Sequence, residues 1–138
     1  MDVLELQTLA SELADDAAVA GGALELAERR YAEGTPASFD SCAHHLSRCH
    51  NVIEQMGLRT AKAFENAALF SEDIRQPLQE LRAFRHVFVH AYDLDVDPDK
   101  PALVLKYGRT VADRLPALVT AFVAAVAKEQ GLDLPPVA

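Results

Sequence analysis

The chain has 138 residues, half of them apolar, which suffices for one continuous core, and residues 1–138 are predicted to form a single domain. Its formal charge of −8, from 21 acidic and 13 basic residues, argues against a general nucleic-acid coat, which neutralises many phosphates with Lys and Arg, and no DNA ligand is expected. No uninterrupted apolar run of about 18 residues occurs, and the N-terminus opens with Asp2 and Glu5 rather than a basic then apolar region, so a cytoplasmic protein without membrane contact is expected.

The first segment carries an apolar stripe at Leu6, Leu9, Leu13, Ala17, Ala20, Leu24, Ala27 and Tyr31. Steps of three and four are the helical period, and the phase survives Gly21 and Gly22, which predicts one long helix with a bend at the glycines. Gly34, Thr35 and Pro36 break the chain, and Ser38 offers a cap for the next helix. A second stripe then runs through Phe39, Cys42, Leu46, Cys49, Ile53, Met56, Thr60, Ala63, Ala67 and Phe70, crossing Gly57, and predicts a second long helix.

Ser71 can cap a third helix from about Asp73 to His90, with Ile74, Leu78, Leu81, Phe84 and Phe88 facing inward and Pro77 in the first turn, where its missing N–H costs little. Asp93 to Pro101 form a polar, acidic connector. The last helix is predicted over Ala102 to Gln130, with Val111, Leu115, Leu118, Phe122 and Val126 in phase and Pro116 as a kink or restart. No strand pattern competes, so the expected fold is all-α, a four-helix up-and-down bundle with two long leading helices.

Charge is uneven along this frame. Residues 1–40 carry nine acids and two bases, whereas residues 41–90 carry five acids, six bases and all five histidines. A polyanion would be handled in the middle segment. Cys42 and Cys49 are the only cysteines, and two helical turns hold them about 10 Å apart, too far for a disulfide and consistent with a reducing compartment.

The third helix holds the unusual residues. Turning about 100° per residue from Leu81, His90 falls nearly opposite the apolar face, with His86 close to it and Arg82 and Arg85 between that face and the core. A single Arg or His so placed is ordinarily a solvated side chain. Here Val87 and Val89 widen the apolar arc on both sides of the histidines, and apolar flanks around a polar cluster suit an interface that contains a site.

The stretch Arg85-His86-Val87-Phe88-Val89-His90-Ala91-Tyr92 resembles the R-x4-H-x-Y signature of HepT toxins, within the wider R-x4-6-H pattern of the HEPN class. The likeness is close over residues 81–97 and extends to the order of helices. It implies a HEPN-type bundle, a homodimer with both motifs lining one cleft, and RNA as substrate. It also implies a cognate nucleotidyltransferase antitoxin that transfers AMP to Tyr92, and it calls for no cofactor.

Cleaving RNA without a metal needs a proton taken from the ribose 2′-OH and one given to the leaving oxygen, which histidine can do near neutrality. A guanidinium supplies fixed charge for the phosphorane. His90 is therefore assigned as general acid or base and Arg85 to the phosphate, with His86 and Arg82 as accessory candidates. A Tyr just past a helix end is otherwise an amphipathic lid over the core.

A competing arrangement is Cys42, His45 and Cys49, three metal-ligand types on one helical face. That face is the apolar stripe, however, and free Cys is among the most buried residues, so packing is the better reading and no metal is assigned. The Asp93, Asp95, Asp97 and Asp99 series is no calcium loop, because Pro98 stands where the loop needs Gly and Val104 where it needs Glu. A non-catalytic helical dimer that serves as a binding module for a nucleotidyltransferase is the alternative to the ribonuclease toxin.

Overall fold

A computed structural model of the chain describes residues 1–63, 68–90 and 99–135, with the side chains of 62–63, 84–90 and 99–101 outside that description. Four α-helices account for nearly all of it: α1 over Val3–Glu33, α2 over Pro36–Ala63, α3 over Arg75–His90 and α4 over Asp99–Gln130. No strand occurs among the described residues.

Helix α1 starts at a capping box. The Asp2 carboxylate accepts from the Glu5 N–H at 2.8 Å, while the Glu5 carboxylate accepts from the Asp2 N–H at 2.9 Å, which satisfies two orphan donors of the first turn. The helix runs unbroken through Gly21 and Gly22 and stops at Gly34, whose φ of 72° only glycine adopts at no steric cost. The expected stripe is the buried one: Leu6, Leu13, Ala20, Leu24 and Ala27 are fully enclosed, with Ala17 and Tyr31 packed at its edge.

Helix α2 begins earlier than Ser38 suggested. Pro36 occupies the first helical position, where its fixed φ suits the turn. Thr35 is the cap: its hydroxyl accepts from the Ser38 N–H at 3.0 Å and its own N–H donates to the Ser38 hydroxyl at 2.9 Å. Ser38 is thus the third residue of the helix rather than its cap. At the other end the helix is followed to Ala63, short of the predicted Phe70; Ala67 lies outside the described residues. Phe70 is outside the helix, with an edge atom of its ring against Gly57. Periodicity gave no stop because Ala63 and Ala67 keep the phase with side chains too small to reveal what they face.

A 3₁₀ turn over Glu72–Ile74 precedes α3. Ser71 stands at its cap position, but its hydroxyl donates to the Asp73 carboxylate instead of accepting from the helix. Helix α4 starts at Asp99, three residues before the expected Ala102, and continues through Pro116 without a restart. Its C-terminus is closed by Gly131 at φ 65° and by the Leu132 N–H on the Ala127 carbonyl at 2.8 Å.

Arg59 on α2 pairs with Glu12 and Asp16 on α1, and the rings of Tyr31 and Phe39 stack at 5.4 Å across the joint, so these two helices are antiparallel. Arg114 pairs with Asp73, and Gly108 lies against Leu81, so α3 and α4 are antiparallel too. The core is continuous, and Gly108 is the glycine most closely approached within it. A Cβ built there would lie 2.8 Å from Leu24, 3.6 Å from Leu81 and 3.8 Å from Leu46, one contact from each of the other three helices. By length and apolarity the 102–130 segment could cross a membrane. Its in-phase residues Val111, Leu115, Leu118, Phe122 and Val126 are nevertheless all buried against the bundle.

Candidate functional site

Leu81 anchors α3. It is 1% exposed and level with Leu46 of α2 and Gly108 of α4. Beyond it the last turns of α3, which carry Arg85, His86 and His90, run toward the end of the bundle where α1 and α2 are joined at Gly34. The backbone of those three positions is helical as expected, while their side chains, and Tyr92 altogether, lie outside the described residues. The acidic connector over 91–98 does so as well.

Before Leu81, α3 faces α2 across an open groove of about 330 Å³. Ile53, Gly57, Phe70 and Leu78 give it an apolar floor, and His50, Arg75, Gln79 and Arg82 are among its polar edges. Arg82 was expected to reach outward, and it does so on this wall, exposed and without an ion pair among the described residues. Arg75 is exposed and pairs at 2.9 Å with Glu72, one turn earlier. Across the groove, His50 is almost wholly buried, with Nε2 3.6 Å from the Glu54 carboxylate.

Helical register ties this groove to the sequence motif. At about 100° per residue, Arg75, Gln79, Arg82, His86 and His90 fall within one arc of about 80° on α3, and Arg85 lies about 60° outside it, on the side of Leu81. The groove residues and the two histidine positions therefore form one stripe about 22 Å long, at 1.5 Å rise per residue. Sequence reasoning counted Arg82 as accessory, took His50 only as a fourth-ligand candidate for a metal beside Cys42, His45 and Cys49, and passed over Arg75 and Gln79. The stripe's period would have found the last two; His50 belongs to another helix and needed the packing.

The end of the bundle toward which the motif runs carries a cluster of Arg30, His44, His45 and Arg48. His45 is half-buried there, and its pKa is lowered from the usual 6.5, first by burial and then by repulsion from Arg30, Arg48 and His44. Two of these neighbours have local counter-charges, Arg30 to Glu33 at 2.7 Å and His44 near Asp40 at 3.8 Å.

Cys42 and Cys49 belong to the core, both fully buried and free. Desolvation pushes each thiol up to about 11, so neither is a thiolate at neutral pH. Among the described residues no group of three His, Cys, Asp or Glu side chains gathers as metal ligands. Packing therefore explains the Cys42 and Cys49 spacing.

The sequence model of a family described as HepT-like protein matches residues 47–126, from the middle of α2 through α3 and most of α4. The chain belongs to the HepT-like family. That family is of the HEPN type and typically nuclease-related, and the all-α bundle agrees with it. No curated protein and no solved structure matches the chain. The matched HepT-like region contains the whole groove between α2 and α3 and the whole Arg85–Tyr92 stretch, while α1 and the first turns of α2 lie outside it.

Proposed function

We propose that this HepT-like protein is a metal-independent endoribonuclease, the toxin of a type II toxin–antitoxin pair, silenced by a nucleotidyltransferase that adds AMP to Tyr92. The observation that carries the reading is the family match over residues 47–126, which encloses Arg85, His90 and Tyr92 at and just past the end of α3. The cluster of Arg30, His44, His45 and Arg48 at that end of the bundle supports a polyanionic substrate there.

In this reaction the 2′-oxygen of one ribose attacks the adjacent phosphorus. The bond from phosphorus to the 5′-oxygen of the next nucleotide breaks, leaving a 2′,3′-cyclic phosphate. One proton leaves the 2′-OH and another reaches the departing 5′-oxygen, so an acid and a base are required. His90 fills one of these roles and His86 is the accessory proton carrier. Arg85 holds the phosphorane, whose added charge a guanidinium stabilises more than it does the ground state. Pairing of two chains as a homodimer brings two such motifs to one cleft, and the site works in the cytoplasm without a cofactor.

Tyr92 is the control point. Each adenylate adds a phosphodiester with one negative charge and a large base, which obstructs and repels RNA at the same cleft. The test combines an RNA cleavage assay in EDTA with intact-mass measurement of the chain co-expressed with a neighbouring nucleotidyltransferase. Wild type should cut, His90→Ala should not while melting unchanged, and the co-expressed chain should gain whole AMP units on Tyr92 and lose activity. A wild-type dimer that never cuts RNA, or a chain never modified at Tyr92, overturns the corresponding half of the reading.

A further inference from the structure

The groove between α2 and α3 is more than the ribonuclease chemistry requires. Proton transfer and charge stabilisation are assigned to the last two turns of α3, yet the same face continues for two further turns with Arg82, Gln79 and Arg75 along an open trough. The other arginines that reach between helices are occupied: Arg59 by Glu12 and Asp16, Arg109 by Glu28 and Asp113, Arg114 by Asp73. Arg82 has no such carboxylate among the described residues. Arg75 has only Glu72, in a pair whose members are 66% and 80% exposed, the kind of surface contact that a phosphate readily displaces.

Resting on the ribonuclease reading above, we propose that this groove is a substrate track: a single strand of RNA lies along it, with Arg82 and Arg75 holding phosphates beside the scissile one. The two arginine positions are about 10 Å apart along the helix, and Arg82 is about 12 Å from His90, at 1.5 Å per residue. Guanidinium forks suit phosphate oxygens at both places. The half-buried Phe70 ring, with an edge atom against Gly57, lines the groove and supplies aromatic surface for a base, since stacking on aromatic rings is the usual way a protein holds unpaired RNA.

A volume of about 330 Å³ takes a nucleotide rather than a folded partner. Glu54, the acid on the opposite wall, has its carboxylate 3.6 Å from His50 Nε2, on the side of the trough away from Arg75 and Arg82. The groove also explains how an acidic protein can act on RNA: the few positive groups that meet substrate are collected on one face of one helix, while the acids are spread over α1 and the rest of the surface.

The test measures binding of a fluorescein-labelled, fully 2′-O-methylated RNA decamer, which cannot be cleaved, as a function of salt. The proteins are wild type, the double variant Arg75→Gln/Arg82→Gln, and Arg59→Gln as a control that also loses an arginine. Loss of two phosphate contacts on a single strand should flatten the slope of log affinity against log salt by about 1.4 and weaken binding at low salt by about tenfold or more. Arg59→Gln should keep the wild-type slope. If wild type cleaves RNA but the double variant binds with unchanged slope, the track is wrong and the ribonuclease reading stands. An equal loss in Arg59→Gln reduces the effect to net charge and also removes the track. A wild type that neither cleaves RNA nor binds the decamer removes both.

Discussion

The meeting of α1 with α4 and the meeting of α2 with α3 use the same kinds of residue and reach opposite states. Where α4 crosses α1, Gly108 brings the backbone so close to Leu24 that no methyl group fits, and Arg109 closes the rim against Glu28 and Asp113. The bond to Glu28 is the main cause that raises the Arg109 pKa above its usual value. Where α3 crosses α2, Gly57 makes room only for the exposed-edged Phe70 ring, and Arg75 and Arg82 stand at an open trough. Glycine and arginine are therefore not signals in themselves. What each faces decides whether it closes a core or leaves a surface for another molecule.

Removing one leucine from each side tests that contrast most strongly. Leu24 is fully enclosed, so Leu24→Ala should cost roughly 2–5 kcal/mol, the range for a core leucine whose cavity cannot collapse. Leu78 lines the groove and is half-buried; Leu78→Ala should cost about 1 kcal/mol, because water already reaches its neighbourhood. Urea midpoints of the two variants measure the difference, and similar losses would mean that the groove is as tightly packed as the core.

The same Gly→Ala change at the two crossings should differ in sign. Both glycines lie inside helices, where alanine gains about 1 kcal/mol in intrinsic propensity. At Gly108 the new methyl meets Leu24 at 2.8 Å, and overpacking of an enclosed leucine costs about 1–3 kcal/mol, so Gly108→Ala should be destabilised by about 1 kcal/mol. At Gly57 the nearest atom is the Phe70 ring edge at 3.2 Å, which can swing into the groove, so Gly57→Ala should be more stable by up to about 1 kcal/mol. Thermal melts of the two single variants check both signs.

Much of this was legible beforehand for a physical reason. The stripes of α1 and α4 are long, dense in Leu and Val, and correspond to residues that are in fact enclosed, because an amphipathic helix has one way to bury such a face. Thr35-Pro36-Ala37-Ser38 was harder: the same letters read as a break with a Ser cap after it or as a capped start with Pro at the first position, and only the hydrogen bonds decide. The end of α2 was illegible because alanines at 63 and 67 continue the phase without reporting burial. For the site, the motif on α3 and the position of Arg82 were readable along one helix. The groove was not, since it exists only where His50, Phe70 and Arg75, far apart in sequence, come together.

A smaller effect separates the arginines. Arg109 is about two-fifths exposed and meets two carboxylates, so Arg109→Gln should lose no more than about 1 kcal/mol, the ceiling for a solvent-screened pair. Arg82→Gln should leave stability within about 0.5 kcal/mol of wild type, as expected for an exposed side chain that closes no contact. Denaturant titration in low and high salt distinguishes them, since only the Arg109 contribution should shrink as salt rises. A loss at Arg82 as large as at Arg109 would mean that Arg82 is a structural residue.

The smallest effect lies at His45 and has a definite sign. Folding lowers the His45 pKa from 6.5, by burial first and by Arg30, Arg48 and His44 after it. The unfolded chain therefore takes up this proton more readily than the folded one. Above pH 6.5 both states hold His45 neutral and the residue costs nothing; as pH falls below 6.5 the unfolded state gains protonation first, and stability declines until the folded state is protonated as well. Wild type should lose stability between about pH 7.5 and about pH 5.5, and His45→Gln should lose less over the same interval. Taking the difference between the two proteins isolates the contribution of His45 from groups that do not face it. Equal slopes would mean that His45 is solvated like an ordinary surface histidine, and a steeper fall in His45→Gln would mean that a carboxylate, not the neighbouring arginines, governs it. The predicted order is the one that burial of His45, with Arg30, Arg48 and His44 beside it, requires.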